Sequence, residues 1–227
     1  MLNLVLFADP MCSWCYGFGP QLAKVIEHEQ THQPVTLDLT MGGLRAYNSQ
    51  VIDAASKAAI LAHWEQVQEA CGMSFDDAAL HAPGFVYDTE PACRAVVAVR
   101  RIDTPKALDY YRAVQRAFYA EGRDTTRESV LAETAIACGI DDGAFLQAFR
   151  SDGIKEATRH DFALTHGAGV TGFPTLCVDI ERKLYLLARG YAPAELIEAG
   201  LDRLAASPPG GGEGVGTRPI SRGEGRG

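Results

Sequence analysis

Cysteine is scarce in this chain, with six in 227 residues. That is too sparse for a small secreted scaffold stapled by disulfides. Positive charge is also short. The 21 Lys and Arg face 29 Asp and Glu, a formal net charge of -8, which argues against a general affinity for nucleic acid or anionic membrane. No apolar run approaches the roughly 20 residues of a spanning helix. The opening Met1-Leu2-Asn3-Leu4-Val5-Leu6-Phe7-Ala8 lacks the basic stretch of a secretory signal. It reads instead as a short buried strand stopped by Asp9-Pro10. The expected compartment is therefore the cytoplasm, where thiols stay reduced. Apolar residues are not lacking: at 47% hydrophobic, most of the chain has material for a core and is not disordered.

Periodicity orders the chain. Residues 12–30 read as a helix with Phe18, Leu22, Val25 and Ile26 on one face and a kinking Pro20 inside. Residues 35–41 alternate as a strand, closed by Gly42-Gly43. From 48 to 166 the pattern is helical. Ser74 with Asp77 resembles a cap, Pro91 opens a helix, and Thr104-Pro105 forms an N-cap and first-turn pair. Thr125 with Glu128 matches a capping box, and Asp141 caps a helix carrying Phe145, Leu146 and Phe149. Residues 175–180 and 184–187 form a predicted antiparallel hairpin. A last helix places Leu196, Ile197, Leu201 and Leu204 on its buried face. Residues 207–227, rich in Gly and Pro, read as a disordered tail.

Only Cys12-Ser13-Trp14-Cys15 brings two cysteines close together. A cysteine at a helix start meets unsatisfied backbone N–H groups and the positive end of the helix dipole, both of which stabilise a thiolate. Cys12 is thus the expected nucleophile. Cys15, one turn further on, can resolve the mixed disulfide that Cys12 forms. Zinc would need four ligands, and none of Cys71, Cys93, Cys138 or Cys177 has Cys or His at ligand spacing. No metal is expected. A pair of inert core thiols fits poorly beside the exposed-looking Ser13. The second element is Gly172-Phe173-Pro174-Thr175. A cis proline there would leave the preceding backbone free to pair with an extended peptide, while a trans proline would simply mark a strand start. The residues allow either.

Three segments resemble the thioredoxin superfamily, and within it the FrnE-like cytosolic branch of the DsbA-like thiol-disulfide oxidoreductases. They are Asp9-Pro10-Met11-Cys12-Ser13-Trp14-Cys15-Tyr16-Gly17-Phe18, Pro91-Ala92-Cys93-Arg94-Ala95, and Gly169-Val170-Thr171-Gly172-Phe173-Pro174-Thr175. The likeness runs over about residues 1–206. It implies an α/β thioredoxin-like fold, β-α-β … β-β-α, split into 1–47 and 167–206 by an all-helical insertion at 48–166. It also implies that Cys12 attacks and Cys15 resolves, as a redox-active disulfide with no bound cofactor. Pro174 would be cis and pack beside the pair, with Ser13, Trp14, Phe173 and Pro174 meeting the substrate. Many such proteins carry a buried acid six positions before the first cysteine; here that position is Leu6. Asp9 is the nearest carboxylate, and turn chemistry accounts for it.

The expected activity is a disulfide reductase or protein disulfide isomerase. Its partners would be protein or small-molecule thiols and disulfides, with glutathione as donor or substrate. The alternatives are a glutathione-dependent isomerase or transferase, like 2-hydroxychromene-2-carboxylate isomerase and the kappa class, and a peptide-binding holdase. Cys93 is either an ordinary core cysteine or a third thiol near the site. Cys177 belongs in the core, and Cys71 and Cys138 sit at helix ends. His63, Trp64, His81, His160 and His166 read as structural or surface residues.

Overall fold

Alternation across the first strand sets the layers of the molecule. The computed structural model describes residues 1–206 and the backbone of 219–220, and its β1 spans Leu2–Ala8. Leu4, Leu6 and Ala8 face the main buried cluster. Val5 and Phe7 face the other way and pack with Cys177, Leu184 and Ala168, as a period of two requires. β1 lies parallel to β2 (Val35–Met41) and antiparallel to β3 (Thr175–Ile180), which pairs antiparallel with β4 (Lys183–Arg189). Glu181 and Arg182 make the hairpin turn with positive φ values of 51° and 66°. The expected tail at 207–227 lies outside the described residues except for Pro219–Ile220. That pair forms the edge strand β5 on β4, giving the order β2-β1-β3-β4-β5.

Helix α1 (Ser13–Gln30) connects β1 to β2 and includes Pro20, and α8 (Ala194–Ala206) packs on α1 and β4. Between β2 and β3 come α2 (Ala54–Cys71), α3 (Glu90–Ile102), α4 (Ala107–Tyr119), α5 (Glu128–Ala137), α6 (Asp142–Arg150) and α7 (Asp152–Gly167). This is the expected β-α-β … β-β-α order interrupted by helices. One buried cluster runs from Leu4 and Val25 on the sheet side through Trp64 and Tyr110 to Phe145. The inserted helices therefore share the sheet's core. Each large side chain buried there contributes about 1.5–3 kcal/mol over its exposed state.

Several expected helix starts differ in detail. Asp141 caps as expected, accepting from Ala144; Asp53 and Ser151, not singled out in the sequence, also cap, accepting from Ser56 and Ile154. The capping box at Thr125 does not form. Helix α5 starts after Arg127, and the buried Thr125 hydroxyl has no partner among the described residues. Thr104 lies inside a 3₁₀ turn and its hydroxyl donates to the Arg100 carbonyl at 2.9 Å, so it serves the end of the preceding helix rather than capping the next. Near Ser74 it is Asp76 that accepts, from Ala78 at 2.9 Å. Leu196 is 63% exposed, because the buried stripe of α8 runs instead through Ala194, Ile197, Leu201 and Leu204.

One buried ion pair fixes the end of β2. Asp161 on α7, 4% exposed, accepts from both terminal nitrogens of Arg100 at 2.9 Å and from the Met41 amide at 2.9 Å. Thr165 donates to the Met41 carbonyl at 3.0 Å. Met41 is thus held on both sides by α7, and it precedes the loop that enters the site.

Candidate active site

Pro10 and the Asp9 carboxylate end β1 and begin α1. The Asp9 side chain accepts from the Met11 amide at 2.8 Å, and its main-chain carbonyl accepts from the Cys12 amide at 3.1 Å. Cys12 becomes the N-cap of α1, in extended conformation, and the first turn of the helix holds no acidic residue to oppose a negative sulfur. Its Sγ donates to the Phe173 carbonyl at 3.6 Å, across 161 residues of sequence. Cys12 is 6% exposed and Cys15 2%. Both are free thiols in the structure.

Burial, and then the hydrogen-bonded Cys12 beside it, push the Cys15 thiol well above its ordinary value; a backbone hydrogen bond from Asp9 pulls the other way. Cys15 is therefore held as a thiol behind the thiol at the helix start. Leu6 is buried in the same apolar cluster as Cys15.

Asp9 does more than turn the chain. It is fully buried and also accepts from the Leu44 amide at 2.7 Å and from the Cys93 thiol at 3.4 Å. Burial pushes its carboxyl up, while hydrogen bonds from Thr89, Met11, Leu44 and Cys93 oppose that shift. Burial and the Asp9 charge hold the Cys93 thiol well above its ordinary value, so it stays a donor. Cys93 is thus a core residue that touches the site through Asp9. Cys177 is buried in the second cluster, and Cys71 and Cys138 sit at helix ends as expected.

The structure brings the other expected residues together. Ser13 is buried, contrary to the exposed position expected for it. Trp14 is partly exposed and lies between His63, whose ring meets it edge-on at 5.8 Å, and Tyr191 at 6.1 Å. The Phe173–Pro174 peptide bond is cis. Pro174 is buried, and its carbonyl accepts from Gly190 at 2.7 Å.

Cys12, Ser13, Trp14 and Phe173 border a groove of about 720 Å³ that also takes in Leu44, Arg45, Ile60, His63, Trp64 and Tyr87, while Pro174 lies outside its lining. Its lining contains Arg45 and His63 but no carboxylate. His63 and Trp64 thus belong to the site rather than only to the surface or core. Arg45 lies 5.1 Å over the Tyr87 ring, and the Tyr87 hydroxyl donates to the Met11 carbonyl at 2.7 Å. No local motif marks Arg45, His63 or Tyr87, because each arrives from the helical block or the loop before it. Among the described residues no three His, Cys, Asp or Glu side chains form a group that could hold a metal. No helix among them is long and apolar enough to cross a membrane.

Comparison with known proteins agrees with this geometry. A chain from Nitrosomonas europaea, assigned as a protein disulfide isomerase, is 34% identical and superposes with a TM-score of 0.83 over 90% of this chain and 98% of its own. The cytosolic disulfide reductase DsbM from Pseudomonas aeruginosa, solved with GSH, is 25% identical with a TM-score of 0.72, over 90% and 100% of the two chains. A curated relative, the ClpXP adapter protein SpxH of Halalkalibacterium halodurans, is 26% identical over 77% of this chain. The chain spans only 57% of that relative's length. The model of the DSBA-like thioredoxin domain matches residues 3–199, taking in strands β1 to β4, both thiols and the inserted helices. The chain belongs to the DSBA-like thioredoxin domain family.

Proposed function

We propose that this protein is a thiol-disulfide oxidoreductase that exchanges a dithiol for a disulfide at Cys12 and Cys15, working as a cytoplasmic disulfide reductase with glutathione as its electron donor. The observation that carries this reading is the unequal placing of two buried thiols: Cys12 caps α1 and lines a groove, and Cys15 sits one turn behind it, off the groove. The Cys12 thiolate attacks a substrate disulfide, forms a mixed disulfide and releases one substrate thiolate, which takes up a proton. Cys15 then attacks Cys12 Sγ, and the second substrate thiol leaves. The substrate has gained two electrons and the protein holds a Cys12–Cys15 disulfide. Two molecules of glutathione return it to the dithiol and leave as glutathione disulfide. Ser13 and Trp14 flank the reacting sulfur, and the backbone around Phe173 and Pro174 meets the substrate.

The choice of donor is supported by the groove, whose lining offers Arg45 and His63 and no opposing carboxylate to a ligand bearing two carboxylates. The solved neighbour with GSH is consistent with it. The test is glutathione-coupled reduction of insulin by wild type and Cys12→Ser. The wild type is expected to accelerate insulin precipitation and Cys12→Ser is not; equal rates would sink the assignment.

A further inference from the structure

The loop after β2 carries Arg45 into the groove, and its shape is set by side chains from outside the loop. The Leu44 amide donates to Asp9 Oδ2 at 2.7 Å, the Arg45 amide to Thr89 Oγ1 at 3.1 Å, and the Tyr47 amide to Asp88 Oδ1 at 2.8 Å. Tyr47 is held at a φ of 65°, a left-handed conformation that a non-glycine residue adopts only under constraint. Thr89 is fully buried. It is also the N-cap of α3, where a threonine hydroxyl ordinarily accepts from its own helix. Here it makes no such bond and accepts from Arg45, while Asp88 takes the Glu90 amide at 2.9 Å. The Thr89 hydroxyl thus serves the loop rather than its own helix.

The same loop is tied to the nucleophile. Met11, the residue before Cys12, donates from its amide to Asp9 Oδ1 at 2.8 Å and accepts at its carbonyl from the Tyr87 hydroxyl at 2.7 Å. Asp9 therefore bridges Met11 and Leu44, and Tyr87 bridges Met11 and the guanidinium lying 5.1 Å over its ring. Asp9 and Tyr87 are both buried, so sulfur and cation are held on one frame before a ligand arrives. We propose that Thr89, with Asp88 beside it, is the positioning residue that holds Arg45 on this frame. The frame then selects a donor thiol bearing a carboxylate over an uncharged thiol. The inference rests on glutathione reduction at the Arg45 groove. Thr89 touches no substrate; it acts through the Arg45 main chain. With valine in its place the Arg45 amide loses its acceptor, and the guanidinium is no longer aimed.

The experiment is steady-state insulin reduction with either glutathione or 2-mercaptoethanol as donor, the latter having no carboxylate. Thr89→Val is expected to raise KM for glutathione about threefold with kcat nearly unchanged, and to leave the rate with 2-mercaptoethanol as in wild type. Thr89→Ser, which keeps the hydroxyl, restores the wild-type KM. Thermal melting establishes which variants fold. If Thr89→Val does not, Asp88→Ala, which releases the Tyr47 amide, carries the test with the same selective rise. An unchanged glutathione KM in a folded variant, equal losses with both donors, or a Thr89→Ser that behaves as Thr89→Val overturns the positioning role. Arg45→Ala separates this role from the reading beneath it. An unchanged KM for glutathione in Arg45→Ala sinks donor binding at the groove; a raised KM there, beside a wild-type KM in folded Thr89→Val, sinks the role of Thr89 alone.

Discussion

A methyl group at position 42 would collide with the Phe173 ring. A Cβ built on Gly42 lies 2.0, 2.3 and 2.7 Å from Cζ, Cε1 and Cε2 of that ring, where carbon atoms settle near ~3.5–4.0 Å. The glycine cannot easily retreat. Its amide donates to the Ala8 carbonyl at 2.7 Å, and Met41 before it is held by Asp161 and Thr165. Its φ is not positive, so alanine adds no backbone strain and the effect is purely one of space. Phe173 must move, and Phe173 carries the carbonyl that accepts from Cys12. Overpacking of this kind costs about 1–3 kcal/mol. For a chain of this size that lowers the melting midpoint by roughly 2–12 °C. Gly42→Ala is expected to show that drop in scanning calorimetry, together with a changed rate of insulin reduction. Phe173→Leu removes the three clashing carbons, so the double variant should recover most of the lost midpoint, a coupling of about 0.5–3 kcal/mol. A wild-type midpoint and rate in Gly42→Ala, or strict additivity in the double variant, would refute the steric argument.

Three further outcomes are expected. Cys15→Ser should accumulate a mixed disulfide on Cys12, seen as a substrate adduct in non-reducing mass spectrometry; free substrate release at the wild-type rate would contradict the resolving role. Cys15, Cys93 and Cys177 are all buried, and burial raises their thiols, the last to about 12. Groups with raised native values contribute stability that is fully present below the unfolded value and lost as pH rises through the native one. Urea midpoints should therefore hold below pH 9 and fall above it, with a slope approaching roughly 4 kcal/mol per pH unit for three thiols. A midpoint unchanged from pH 8 to 10.5 would contradict their burial. Arg45→Ala should raise KM for glutathione about fivefold or more while leaving the rate at saturating donor nearly unchanged, if the guanidinium binds a donor carboxylate. An unaltered KM in steady-state kinetics would remove Arg45 from donor binding.

Local chemistry was legible where the signal is local. Cys12 and Cys15 needed only a strand, a helix start and a spacing of three, and β2 occupies 35–41 as its alternation predicts. Capping was less readable. Asp141 caps as expected, but Thr125, with the same kind of credentials, turns into the core instead. Polar caps and buried hydroxyls look alike until the neighbouring helices are placed. Leu196 is a similar case, since a one-residue error in the helical phase moves a side chain from the core to solvent.

By itself the sequence determined the order of elements, the thiol pair at the start of α1 and the acidic, apolar-rich character of the chain, because periodicity and helix-end electrostatics act over a few residues. Tertiary structure alone decided what surrounds that pair. It set Phe173 against Cys12 across 161 positions and Cys93 against Asp9 across 84. It also left Cys15 buried. Desolvation and hydrogen bonding depend on which atoms meet in space, and no residue spacing encodes that.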